Sequence, residues 1–540
     1  MEYYAKSKKV QFTSERINEI KKNMKNIEEC LKENLTETDV EILNSSITDI
    51  AEKTEEKQKT LKEHHKDIVT CAEMFFLEYG EYFTEKEKKL VVEACRIHDL
   101  GKVNLVFQAM ICPKLAEKFY IDVRKTQQIP HGFLSAVTIS LDEFDDLSEL
   151  FSDKDFGPFI TAVYYHHDRE DHYNSPAIRK YAEKYYMKQI EEYLNRKIRK
   201  LNCSNLDDLL FRNNVYTGKY IPDSNAWKKY LLIKGLLNKF DYTVSAGYEN
   251  AESAIDLHEK KLVKNIEKFL NGKELRPAQK FMKMNRDKNL IVIAPTGSGK
   301  TEASLLWMNG EKSFYTLPLK VSSNAIYLRI KENYEYKDVA LLHSDAMAVY
   351  LREYNGNEDI GEKYERSKML SQPLTVCTVD QLFRFVYRAL GTEIFAATLK
   401  YSKLVLDEIQ AYEPRVIATI IYGLKMIQEM GGKFAIITAT FPPVLKYFME
   451  QYGLVEGKQY IFKDFTGKEY QVEKYPRHKV EIRHSEMNLD EIRLRGKNRK
   501  VLVICNTVSK AQKLYKKLEG ENVWLLHSKY IRRDRAFLER

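Results

Sequence analysis

The chain has 540 residues, more than one hydrophobic core accommodates, so roughly two to four domains are expected. Hydrophobic residues at 44% and charged residues at 31% are those of an ordinary globular protein, and no apolar run reaches bilayer length. The start, Met1-Glu2-Tyr3-Tyr4-Ala5-Lys6, lacks an apolar secretory core, and the seven cysteines are scattered without a Cys-x-x-Cys pair, which excludes a disulfide framework and a cysteine zinc site and points to the cytoplasm, away from any membrane.

The net charge of +9 mildly favours a polyanionic partner. Residues 14–62, rich in Glu, Lys, Asn and Thr with spaced Ile and Leu, read as charged surface helices, and 1–55 is expected to be a charged helical segment. From 64 to 250 the pattern is helical almost throughout, within an expected all-α domain at 56–255.

Seven of the twelve histidines fall between His64 and His172. His98-Asp99-Leu100-Gly101-Lys102 is a weak signal alone, since His167-Asp168 repeats the dipeptide. Its company makes it informative: His64 upstream, His131 downstream, the pair His166-His167, and Asp241 in the apolar helical run Leu231–Ala246. Imidazole nitrogens and carboxylate oxygens suit first-row transition metals. A carboxylate can bridge two of them, and two neighbouring cations can activate water and steady the leaving oxygen of a phosphodiester. The bland alternative is a set of hydrogen-bonded core histidines. Helical periodicity cannot separate His64 from His65, because both lie within a turn of Leu61 and Ile68. His172 reads as a loop residue.

The order His … His-Asp … His … His-His … Asp resembles the HD-domain metallohydrolases, in the branch with a doubled histidine and two metals. The resemblance implies that His64, His98, Asp99 and Asp241 hold one divalent transition metal (iron, manganese, nickel or cobalt). It implies that Asp99, His131, His166 and His167 hold the other, with Asp99 as bridge and Lys102 stabilising charge near the phosphate. The family spacing Leu-x-x-His-x-x-x-Ile favours His64 over His65.

Near residue 260 the texture changes. Strand-like runs at Leu290–Ala294, Ser313–Leu317, Val339–His343, Leu374–Thr378, Leu404–Leu406 and Phe434–Thr438 alternate with helical segments, which predicts a parallel sheet covered by helices over 260–472. A second set, Lys479–Arg483, Lys500–Asn506 and Asn522–His527, predicts the start of another such domain at 473–540.

Ala294-Pro-Thr-Gly-Ser-Gly-Lys-Thr301 follows the first strand and opens onto the helical pattern Glu302–Met308. That is the context of a phosphate-cradling loop. Gly297, Ser298 and Gly299 offer backbone N–H groups, Lys300 balances β- and γ-phosphate charge, and Thr301 is suited to the Mg²⁺ of ATP. Asp407 and Glu408 end a later strand, where Asp407 would hold Mg²⁺ through water and Glu408 would orient the attacking water. Either motif alone is weaker than the pair.

Residues 270–530 resemble the superfamily 2 helicases. On that resemblance Gln279 of Arg276-Pro277-Ala278-Gln279 reads the adenine, Asp407-Glu408-Ile409-Gln410 is the acidic motif, and Thr438-Ala439-Thr440 couples hydrolysis to strand movement. Pro318, Ser344 and Thr378-Val379-Asp380-Gln381 hold a strand backbone. Asn506-Thr507 and Leu526-His527-Ser528 resemble the opening of a second RecA-like domain, incomplete here.

An all-α HD domain followed by α/β RecA-like helicase domains resembles the CRISPR-associated nuclease-helicases of type I interference systems. Asn324-Ala325-Ile326-Tyr327 with Arg329, and Leu342-His343-Ser344-Asp345-Ala346, look like that family's versions. The resemblance implies a monomeric enzyme that a guide-RNA surveillance complex recruits to an R-loop. Its HD site would nick the displaced single-stranded DNA, and its motor would run 3′ to 5′ on ATP. The sequence ends at Arg540, before the Gln-x-x-Gly-Arg-x-x-Arg segment with its arginine finger, so hydrolysis by this polypeptide is expected to be poor, since such a finger is worth ~10³–10⁵ in rate. The competing readings are a helicase or remodeller with a non-nucleolytic HD module, an HD nucleotide phosphohydrolase, and a recruitment partner without catalysis.

Overall fold

A computed structural model describes residues 3–5, 59–139, 153–167, 175–198, 225–253, 260–353, 360–389, 391–470, 480–485, 487–518, 520, 522–530 and 538. The expected helices at 14–58 and His172 lie outside them. The chain divides into two compact units, Met1–Tyr470 and Gln471–Arg540.

The first unit begins with helices that sequence caps make inevitable. Thr60 and Glu63 form a reciprocal capping box that starts α1 (Leu61–Tyr79), and Thr84 with Glu87 does the same for α2 (Glu85–Ile97). Further on come α3 (His131–Thr138), α4 (Asp153–Tyr164) and α5 (Asn225–Ser245), with shorter helices at Leu105–Ile111, Pro113–Lys118, Ser175–Tyr185 and Met187–Leu194. Tyr3–Ala5 runs beside Lys59–Leu61, with Leu61 N–H donating to the Tyr3 carbonyl at 2.8 Å. Nearly every residue of α5 from Tyr230 to Val244 is buried. A helix buried all round must have neighbours on every side. α4 covers one side, and α7 (Glu393–Lys400), which belongs to the sheet part, covers another.

That part is a seven-stranded, wholly parallel sheet: β1 (Leu290–Ile293), β2 (Ser313–Leu317), β3 (Val339–Leu342), β4 (Leu374–Thr378), β5 (Lys403–Asp407), β6 (Lys433–Thr438) and β7 (Ile461–Asp464), in the order β3-β4-β2-β5-β6-β1-β7. Alternate residues enter different cores. Ile291, Phe314, Leu404 and Ile436 pack into the core that contains the helical domain, whereas Val292, Tyr315, Val405 and Ile437 pack with α6 (Lys300–Met308). Six strands lie where apolar patterning puts them. β7 was not expected: its run Ile-Phe-Lys-Asp is short and half-polar, and it becomes a strand by pairing with β1.

The helical and sheet parts of this unit share buried charge. A Cβ on Gly235 would stand 2.4 Å from the Glu393 carbonyl oxygen, so α5 and α7 touch backbone to backbone. Beside it Lys234 pairs with Glu393 at 2.8 Å, and Glu252 accepts from Lys239 at 2.8 Å, Lys312 at 2.5 Å and the Tyr401 hydroxyl at 2.7 Å.

The second unit corrects the sequence reading. Its described residues form helices at Leu489–Asn498 and Val508–Leu518 but no strand, so the described residues of the strands expected at Lys479–Arg483 (480–483), Lys500–Asn506 and Asn522–His527 do not form them. A strand exists only through its ladder. Leu502, Ile504, Trp524 and Leu526 have the right pattern yet lie exposed, without a covering layer among the described residues of this unit.

Candidate metal centre and nucleotide site

The histidines come to one place because helix ends do. His98 is the C-cap of α2, His131 opens α3 directly after Pro130, and His166 and His167 follow the end of α4. His64 comes from the first turn of α1 and Asp241 from near the end of α5. Gly101 makes the convergence possible, because a Cβ there would stand 2.0 Å from the His131 carbonyl oxygen.

Asp99 lies at the centre, fully buried. Its Oδ2 faces His64 Nε2 at 3.4 Å and His98 Nε2 at 3.3 Å, while its Oδ1 faces His131 Nε2 and His166 Nε2, each at 3.4 Å. Asp241 reaches both sides, with Oδ1 at 3.2 Å from His64 Nε2 and Oδ2 at 3.1 Å from His167 Nε2. Two groups with metal-ligand spacing result: His64, His98 and Asp99, and Asp99, His131, His166 and His167. Asp241, expected on one side only, contacts both.

These residues fit a pair of cations. His98 Nδ1 lies 3.0 Å from the Cys95 carbonyl and His166 Nδ1 2.7 Å from that of Val163. A carbonyl only accepts, so each Nδ1 carries the proton and each Nε2 turns inward. The Nε2 atoms of His64, His98, His131 and His166, and Asp99 Oδ1, are buried without a hydrogen-bond partner. Burial pushes the His166 imidazole down to about 3 and holds His131 well below its usual value, so both are neutral near pH 7. Their lone pairs then face a carboxylate, an arrangement that a cation makes favourable. Burial alone would raise Asp99, but His98 and Lys102 beside it, with the His166 and His64 rings facing it, hold it well below the carboxylate range.

The structure separates the two adjacent histidines: His64 faces Asp99, and His65 turns to the Tyr193 hydroxyl at 3.1 Å. Lys102, expected near a phosphate, donates to Asp99 Oδ2 at 2.7 Å and is buried.

At the other site the loop after β1, the acidic pair at the end of β5 and Thr438 at the end of β6 adjoin, since these three strands are neighbours and the carboxyl ends of parallel strands form the crevice. Gly299 has φ +82°, a left-handed conformation that favours glycine, and the Gln279 amide packs close against it. Gln279 is engaged with backbone: Oε1 accepts from Arg276 N–H at 3.0 Å, and Nε2 donates to the Gly299 carbonyl at 3.3 Å. Lys300 donates to Glu408 Oε1 at 2.6 Å. Glu408 has a left-handed φ of 55°, and Gln410 joins it to Thr438, whose hydroxyl donates to Gln410 Oε1 at 2.5 Å. Burial pushes Asp407 up to about 6, against the opposing Tyr315 hydroxyl and Lys300. Tyr315 escaped the sequence reading. A tyrosine inside an apolar strand is a visible but unspecific signal.

Comparison with known proteins gives three family matches: "Cas3, HD domain" over residues 51–223, "DEAD/DEAH box helicase" over 277–448, and "CRISPR-associated nuclease/helicase Cas3, C-terminal" over 497–540. The chain is 25% identical over 560 aligned residues to the CRISPR-associated nuclease/helicase Cas3 of Methanothermobacter thermautotrophicus, covering 90% of this chain and 66% of that protein. It is 25% identical over 190 residues to the CRISPR-associated endonuclease/helicase Cas3 of Escherichia coli, covering 30% of this chain and 21% of the other. The crystal structure of T. fusca Cas3 with AMPPNP shares the fold, with a TM-score of 0.58 at 17% identity over 89% of this chain and 65% of that one. The chain thus spans less than two thirds of the length of each of these relatives. Asp241 lies beyond the HD match.

Proposed function

We propose, from the premise that this chain belongs to the Cas3 family of CRISPR-associated nuclease/helicases, that it cuts single-stranded DNA in the helical pocket and draws that strand along with ATP in the sheet domain. The observation that carries this reading is Asp99, whose two carboxylate oxygens each face a separate pair of histidines at 3.3–3.4 Å. His64, His98 and Asp99 would hold one divalent transition metal (iron, manganese, nickel or cobalt), and His131, His166 and His167 with Asp99 the other. Asp241 would serve both. Such a pair supplies an activated water and neutralises the leaving oxygen of a phosphodiester. The chain's own contribution is to keep the His166 and His131 imidazoles neutral by burial, to orient His98 and His166 through backbone carbonyls, and to offset charge at Asp99 with Lys102.

In the sheet domain Gly297, Ser298, Gly299 and Lys300 would bind the phosphates, Thr301 and Asp407 the Mg²⁺, and Glu408, freed from Lys300, would orient water. Gln279 would read the adenine, from a position where its Nε2 also bonds the Gly299 carbonyl. The working division is 56–255 for the nuclease, 260–472 for the first motor domain and 473–540 for the start of the second. No helix among the described residues is long and apolar enough to cross a membrane. A metal pair cuts any phosphodiester that reaches it, so specificity rests on delivery: a guide-RNA surveillance complex of a type I system opens an R-loop, and the monomeric enzyme travels 3′ to 5′ on the displaced strand.

The test is nicking of circular single-stranded DNA with manganese, nickel, cobalt or ferrous iron, together with metal analysis. Asp99→Ala should lose both bound metal and nicking. Release of nucleotide from dNTPs without DNA cleavage would instead identify a phosphohydrolase. Metal binding without either activity would leave a non-nucleolytic module on a motor.

A further inference from the structure

Tyr315 sits in the middle of β2, fully buried, where strand patterning asks for a plain apolar side chain. A buried phenol has to place its O–H. This one donates to Asp407 Oδ2 at 2.7 Å. In the ladder Tyr315 stands opposite Val405, two residues before Asp407, so both side chains leave the sheet on the same face. Thr301 and Ser304, from α6, lie near the same phenol. One hydroxyl thus bonds the strand's carboxylate with the loop's threonine nearby. The other carboxylate oxygen, Asp407 Oδ1, is buried and has no hydrogen-bond partner.

An aspartate's terminal torsion is broad, so an unheld carboxylate samples many orientations. A charge-assisted bond to one oxygen removes that freedom and decides where the other oxygen points. We propose that Tyr315 is a positioning residue for the Mg²⁺ of bound nucleotide: its O–H pins Asp407 Oδ2 and so aims Oδ1 at the phosphate loop, beside Thr301. The inference rests on the reading of residues 294–301 and Asp407 as a Mg·ATP site.

The experiment is binding rather than turnover. The affinity of a fluorescent, non-hydrolysable ATP analogue is measured with Mg²⁺ and with EDTA for the full chain, for Tyr315→Phe and for Asp407→Asn. Mg²⁺ should tighten binding to the full chain and have little effect on Asp407→Asn. Tyr315→Phe should lose about tenfold of the Mg²⁺-dependent gain, the worth of a hydrogen bond to a charged group, with affinity in EDTA unchanged. A purely structural tyrosine would alter both conditions or neither. Tyr315→4-aminophenylalanine restores a donor on the same ring and should recover the gain. If the Phe variant does not fold, that variant decides alone: folded and lacking the gain, it overturns the proposal. A Phe variant with the full gain also overturns it. Absence of any Mg²⁺ effect on the unaltered chain would sink the nucleotide-site reading and this inference together.

Discussion

His64 and His65 share a helix turn and a chemistry, yet one faces Asp99 and the other Tyr193. At this scale function depends on which way a ring points, and tight backbone approaches set that. Gly101 is the sharpest case. Gly101→Ala removes no ligand but forces the segment away from His131, so Mn²⁺ affinity by calorimetry should fall about 10–100-fold, as for other changes to supporting groups. Unchanged affinity would show that α3 yields freely. Buried lysines give a pH signature. Burial pulls Lys312 down to about 7 and Lys403 down to about 8, although Glu252 and Glu311 oppose it. Unfolded, each keeps its proton up to its ordinary value of 10.5. The unfolded chain therefore binds more protons across the window from about 7 upward, and stability should rise with pH there. Burial raises the Cys71, Cys95 and Cys377 thiols, which oppose this only above their ordinary value of 9.0. Urea midpoints should climb from pH 7 to 9, less steeply in Lys403→Met. A flat profile would mean both lysines stay charged in the fold.

Helix α5 is the element that most ties chemistry to architecture. It carries Asp241 to the metal pocket, and its other faces are buried against α4 and α7. α7 leads directly into β5, which ends in Asp407. One element, α7, thus separates the helix of a candidate metal ligand from the strand of a candidate nucleotide ligand. Gly235 keeps α5 and α7 in contact, and any side chain there meets the Glu393 backbone. Gly235→Val should cost about 1–3 kcal/mol or more through overpacking, read as a lower urea midpoint. It should also weaken metal binding if Asp241 shifts with its helix. A variant as stable as the parent would show that the two helices can separate at little cost.

Across the first unit, buried ion pairs join the helical and sheet parts. Glu252 is shared by Lys239, from the helical part, and Lys312, from the sheet part, with Tyr401 also donating. Removing the carboxylate leaves two buried ammonium groups poorly matched, so Glu252→Ala should destabilise by roughly 3–5 kcal/mol. The aromatic core is equally continuous, since Phe75 and Tyr79 of α1 pack on Tyr401. Residues 1–470 should therefore melt in one transition by both tryptophan fluorescence and metal release. Two separated transitions would show that the parts fold independently.

The phosphate loop, the acidic pair and six of seven strands were legible because local chemistry specifies them: glycines for a left-handed turn, carboxylates closing an apolar run, and apolar runs for strands buried on both faces. The histidine set was legible as an order of residue types. Its geometry was not, because convergence depends on helix ends brought together by packing far apart in sequence. The same reason hid β7, the double reach of Asp241, the Lys102–Asp99 pair and the tyrosine on Asp407. It also explains the three strands expected after residue 479 that formed no ladder. The sequence by itself determined which side chains could bind metal and nucleotide. Only the tertiary structure decided which atoms face one another, because orientation is a property of neighbours and a linear pattern records none of them.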